Sequence, residues 1–147
     1  FSTMNICRLQ PNIAHVVSMS GFVSVELLVA SFFGGILKCY RKPVLELERK
    51  SNPEFVSFNG ADSLLNTNAQ VLLIYSDNDK LVRRDTHFAA LEKGLANKDS
   101  ITLMLVRNKG HNPNYTEDAV KYLAEYSALL QKKNRKKELN KTCKTQK

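Results

Sequence analysis

Residues 69–76 read AQVLLIYS, a run of eight residues that is apolar at nearly every position and breaks off into DNDK at 77–80. Eight residues are few for a helix, and Val, Ile and Tyr favour extended backbone. A continuous apolar run, instead of an alternating one, describes a strand covered on both faces, as strands in parallel sheets are. Two segments of similar character stand on either side of it in sequence. IAHVVSMS, 13–20, is rich in β-branched residues and stops at Ser20-Gly21. SITLMLVR, 100–107, stops at NKGHNP, 108–113.

Helical patterns fill the intervals. TMNICRLQ, 3–10, has a broad apolar face and closes at Pro11-Asn12. VSVELLVASFFGGIL, 23–37, reads as a helix up to Gly34-Gly35. ADSLLN, 61–66, is a short capped helical turn, and RDTHFAALEKGLAN, 84–97, is a helix with Phe88, Leu91 and Leu95 on one face. TEDAVKYLAEYSALLQKK, 116–133, is a helix with Thr116 as its N-cap and with Glu117 and Asp118 placed to suit the positive end of its dipole. Residues 38–60, with Pro43, Pro53 and Gly60, show no dominant period. Alternation of strands and helices predicts an α/β fold: a parallel sheet flanked by helices and joined by right-handed crossovers. A sheet of three strands leaves an edge uncovered.

The charge balance narrows the function classes. Of a net charge of +8 over 147 residues, +7 falls in the last 16 residues, KKNRKKELNKTCKTQK at 132–147. The body is thus close to neutral and carries no footprint for nucleic acid. That division gives residues 1–131 as the folded domain and 132–147 as a basic, flexible tail. The apolar run LLVASFFGGIL, 27–37, has eleven residues, too short to span a bilayer. Cys7, Cys39 and Cys143 match no metal-ligand spacing, and three cysteines make no disulfide framework; a reducing compartment, the cytoplasm, is the expectation. Cys7 and Cys39 read as small buried apolar residues and Cys143 as an exposed thiol.

In open parallel sheets, sites form beyond the carboxyl ends of the strands. Here those loops are 18–22, 75–82 and 107–115. The second holds Asp77 and Asp79, the third His111. If the two strands are neighbours, an aspartate reaches the histidine, fixes its tautomer and stabilises its charged form.

With these residues in place, the segment 69–115 resembles the last two strands of an α/β-hydrolase. YSDNDKLVR is similar to that family's acid-bearing turn, His-Gly-x-x-Asp-x-Val-Val-Pro, and Gly110-His111 is similar to its Gly-His before the final helix. Tyr75-Ser76 stands in place of the usual His-Gly, and Arg83 in place of the usual Pro. FSTMNICRLQPNIAHVVSMSGF, 1–22, is similar to the helix and strand that follow the nucleophile elbow. The resemblance implies a C-terminal half of that fold, with Asp79 as acid, His111 as base and 34–68 as a possible lid. It also implies a Gly-x-Ser-x-Gly elbow directly before Phe1, so that this chain alone is expected to be inactive. The substrate implied is a small molecule with an ester or amide bond, of the esterase, lipase or serine-peptidase kind, and no cofactor or metal is implied.

Several residues have plainer readings. Asp77 rivals Asp79, since aspartates are common in turns after strands. Ser18 and Ser20 are serines at a strand end, but VSMSG lacks the elbow's first glycine, and they are read as pocket lining. His15 and His87 are read as structural, the second at a surface or core edge. A non-catalytic α/β binding module, a decayed hydrolase, is the alternative; the missing half or a second copy would pair through the open sheet edge. A nucleic-acid binder would rest on the tail alone.

Overall fold

The computed structural model describes residues 1–111 and 115–145, of which 115–117, 119 and 136–145 are described by backbone alone. The chain divides into two compact units, Phe1–His111 and Asn112–Lys147. Helix α1 (Ser2–Leu9) leads into strand β1 (His15–Met19), and β2 (Gln70–Ser76) and β3 (Ile101–Val106) complete a parallel sheet in the order β1-β2-β3. The strands match their expected positions within one or two residues. Register is continuous, with Val16 opposite Val71 and Ile74 opposite Met104.

The apolar run that announced β2 is the centre of the unit. Val71, Leu72, Leu73, Ile74 and Tyr75 are all fully buried. Burying a large apolar side chain contributes roughly 1.5–3 kcal/mol, which sets β2 as the main cohesive element. Val71, Leu73 and Tyr75 share one face by the two-residue period and pack with Met4 and Cys7 of α1, Leu64 of α5 (Gly60–Leu65) and Leu91 of α6 (Ala89–Gly94). Close approach makes Gly21 necessary: a Cβ there would lie 2.9 Å from the backbone nitrogen of Phe1 and 2.9 Å from Ser18 Oγ. Gly21→Ala is therefore expected to lower stability by roughly 1–3 kcal/mol, read as a shift in urea midpoint at unchanged slope. An unchanged midpoint would show that α1 can retreat from β1 without loss.

Residues 38–60, which had no clear period, are largely helical, as is most of the 34–68 segment. A 3₁₀ turn at Gly35–Tyr40 precedes α3 (Arg41–Ser51), α4 (Pro53–Ser57) and α5. Its helices close a second, smaller core of Phe1, Val25, Val29 and Leu45 with Phe22, Phe33 and Phe58. The preceding helix α2 (Val25–Phe32) starts at Ser24, whose hydroxyl accepts from Leu27 N–H, and ends under the Arg41 guanidinium. That group donates to the carbonyls of Phe33 (2.6 Å) and Ala30 (2.8 Å), satisfying acceptors a helix end leaves open. Pro43 falls in the first turn of α3 and Pro53 at the first position of α4, where no N–H is needed.

Three expectations need correction. Cys39 is exposed, because the 3₁₀ turn that carries it has no buried side chain; Cys7 is buried as expected. An alkylating reagent should modify Cys39 in the native protein and Cys7 only after denaturation, as mapped by peptide mass; equal rates would mean that α1 opens readily. Cys143 is among the residues described by backbone alone. The helix expected at 84–97 is a π-helical turn at Arg84–Phe88 followed by α6, which ends at Gly94. The last helix, α7 (Tyr115–Thr145), begins one residue before Thr116 and continues into the basic segment as far as Thr145. Loss of apolar residues after 131 marks the end of an apolar pattern and not of the helix, since Lys, Arg, Glu and Leu are good helix formers. Among the described residues, no helix is long and apolar enough to cross a membrane.

Candidate functional site

Parallel strands deliver their carboxyl ends to one edge. There the chain leaves β1 at Ser20, β2 at Asp77 and β3 at Arg107. Ser20 and Asn108 both turn with positive φ, at 47° and 56°. Ser20 N–H still reaches the carbonyl of Ile74 (2.9 Å), and Asp77 N–H that of Val106 (3.0 Å), so the loops start from a common edge.

Asp79 and His111 meet there. His111 Nδ1 lies 2.8 Å from Asp79 Oδ2. An aspartate accepts, so Nδ1–H is the donor and Nε2 keeps its lone pair. The Asp79 side chain is completely buried, while that of His111 is 41% exposed. The other Asp79 oxygen, Oδ1, accepts from the backbone N–H groups of Leu81 (2.8 Å) and Val82 (2.9 Å). The carboxylate is thus held by three donors, and one ring nitrogen of the imidazole faces away from it. Such a pair can take a proton on Nε2 and stabilise the resulting imidazolium.

Asp77, the rival acid, turns elsewhere. Its Oδ1 accepts from Asn108 N–H (2.8 Å), which ties the loop after β2 to the loop after β3. Pro113, beside His111 in sequence, lies outside the described residues. Ser18 is buried, and among the described residues Ser20 Oγ has no hydrogen-bond partner. Two depressions open on the surface of the first unit, the first of them at this edge. One, of about 470 Å³, is polar and lined by Asp77, Asp79, Arg83, Arg84, Asp85 and Glu92. The other, of about 450 Å³, is apolar and lined chiefly by Phe1, Ile6, Leu9, Phe55 and Phe58. Among the described residues, no group of three His, Cys, Asp or Glu side chains is placed to hold a metal.

Two buried groups support the edge from behind. Tyr75 packs edge-on to Phe88, with ring centroids 5.5 Å apart, and its hydroxyl donates to the Gly21 carbonyl. Burial, and secondarily the Asp79 carboxylate, push this phenol far above its usual range. His87 is not at a surface or core edge, as its sequence position suggested, but fully buried. Its Nδ1 accepts from Val23 N–H (3.2 Å), and Nε2 lies 3.3 Å from Ser31 Oγ. Because the Ser31 hydroxyl donates to the Leu27 carbonyl (2.9 Å), the imidazole is neutral with its proton on Nε2. Desolvation lowers its pKa to about 4. His87 stands four residues before Leu91 and eight before Leu95, a spacing that places it on their buried face.

No family model matches the sequence, and no curated protein matches it. Among solved structures, the chain is similar to a candidate dipeptidyl aminopeptidase IV from Bacteroides ovatus, with a TM-score of 0.54 at 17% identity. The match covers 84% of this chain and 17% of that protein. The chain thus spans about a sixth of its neighbour's length, and what the two share is the α/β fold.

Proposed function

We propose that this chain is the C-terminal part of an α/β-hydrolase domain and supplies the acid and base of a serine hydrolase. The observation that carries the reading is the hydrogen bond between Asp79 and His111, which stand beyond neighbouring parallel strands. In this reading His111 Nε2 takes the proton of a serine nucleophile as it attacks an ester or amide carbonyl. It then returns the proton to the leaving alkoxide or amine. Asp79 keeps the tautomer that makes this possible. The serine and one oxyanion-binding amide belong to an elbow upstream of Phe1, the second amide to an earlier strand-helix loop, and residues 34–68 serve as the lid. A structural neighbour described as a candidate aminopeptidase is consistent with amide substrates.

A first test is the coding DNA upstream of the Phe1 codon. An in-frame Gly-x-Ser-x-Gly after a strand-like run is the expected result, and the protein that carries it should react with a fluorophosphonate at that serine. Upstream sequence without an elbow would favour the second reading, a binding module without catalysis. One observation speaks for that module: β1 is an edge strand with Val17 40% exposed, open to pairing with another chain.

A further inference from the structure

The turn that carries His111 is held by the loop that carries Asp79. Ser76 is fully buried. Its hydroxyl accepts from the N–H groups of Lys109 and Gly110, both at 3.0 Å, and donates to Asn78 Oδ1 (2.8 Å). Asn78 Oδ1 also accepts from Gly110 N–H (2.7 Å). Asn108 and Gly110 have positive φ, 56° and 63°, so successive N–H groups of the turn face the same way. Such an arc of amides is a concave site for an acceptor. Here Ser76, Asp77 and Asn78 fill it with side-chain oxygens.

We infer that Ser76 and Asn78 are positioning residues that fix the 108–110 turn so that His111 Nδ1 meets Asp79. The inference rests on the acid–base reading of that pair and goes beyond it. His111 directly follows Gly110, whose backbone is intrinsically permissive, and its ring is partly open to water. Nothing in the residue's own chain geometry selects the rotamer or tautomer that Asp79 needs. The clamp supplies the selection from the same loop as the acid, so acid and base are mounted on one hydrogen-bonded unit. Ser76 stands where the resemblance places glycine, and glycine has no hydroxyl to close such a clamp.

The test is the imidazole tautomer of His111 in the 147-residue chain, read by long-range proton–nitrogen correlation under mildly alkaline conditions, where imidazoles are neutral. The native chain should show the Nδ1–H form, and Asp79→Ala should shift it to the mixture of a free imidazole. Ser76→Ala and Asn78→Ala should shift it the same way, while Asn78→Asp, which keeps the acceptor, should restore it. If Asp79→Ala shifts the tautomer but Ser76→Ala and Asn78→Ala do not, the clamp is overturned and the acid–base pair stands. If Asp79→Ala leaves the tautomer unchanged, the pair itself is wrong and the clamp falls with it. Equal loss in Asn78→Ala and Asn78→Asp would indicate general loosening and overturn the positioning role. Should Ser76→Ala fail to fold, the two Asn78 variants decide the matter.

Discussion

Under the proposed acid–base reading, Asp79→Asn in the protein that carries the nucleophile is expected to lower kcat on the order of a thousandfold with little change in KM. The cause is a tautomer and not a lost contact. An asparagine oxygen can still accept from Leu81 and Val82, which leaves its amide nitrogen facing His111. That nitrogen donates, so His111 Nδ1 must become the acceptor and the ring proton moves to Nε2. Nε2 then has no lone pair with which to take the nucleophile's proton. His111→Ala should cost a similar factor, and the double variant no more than either alone, because the two act as one unit. Asp77→Ala should cost less than about tenfold, since that carboxylate touches Asn108 and not the imidazole. Initial rates with an activated ester would check all four. A larger loss from Asp77→Ala than from Asp79→Asn would exchange the two aspartates' roles.

Stability should fall as pH drops from 6.5 toward 4, and His87 should account for a large share of the fall. Its folded pKa of about 4 lies below the ordinary value of 6.5. Between those values the unfolded chain binds a proton that the folded chain does not, so stability rises with pH across the window. The contribution is complete above 6.5 and lost below 4, and amounts to about 3 kcal/mol at most. His87→Asn keeps an acceptor near the Nδ1 position for Val23 N–H and removes the titration. Urea midpoints at pH 7 and pH 4.5 should therefore differ markedly less in the variant than in the native chain. Equal differences would assign acid sensitivity to the carboxylates and would mean that His87 is not held neutral.

What was legible in the sequence was what a short local pattern encodes. β2 could be read because five consecutive buried residues leave no other economical fold for them, and Asp79 and His111 because they follow strands whose ends share an edge. His87 was misjudged because histidine reads as a boundary residue, although its spacing from Leu91 and Leu95 puts it on their buried face. Cys39 was misjudged because a 3₁₀ turn exposes residues that a longer helix would cover. Residues 38–60 gave no period because the helices that start at Arg41 and Pro53 are short and bury few side chains each. Ser76 and Asn78 were passed over as part of a turn. Their partners are backbone groups more than thirty residues away, and a sequence shows side chains but not where main-chain donors will stand.

The order β1-β2-β3 also sets which amides the solvent can reach. Among the described residues, only β2 is paired along both sides, so its N–H groups are all engaged within the sheet, whereas alternate amides of β1 and β3 face away from it. Deuterium should enter β2 last, after opening of the whole unit, and enter the outer strands by fraying. The aspartate is rooted in the strand that opens last and the histidine in one that frays. Slow exchange along β2 beside faster exchange at the ends of β3 would be the time-domain signature of that order.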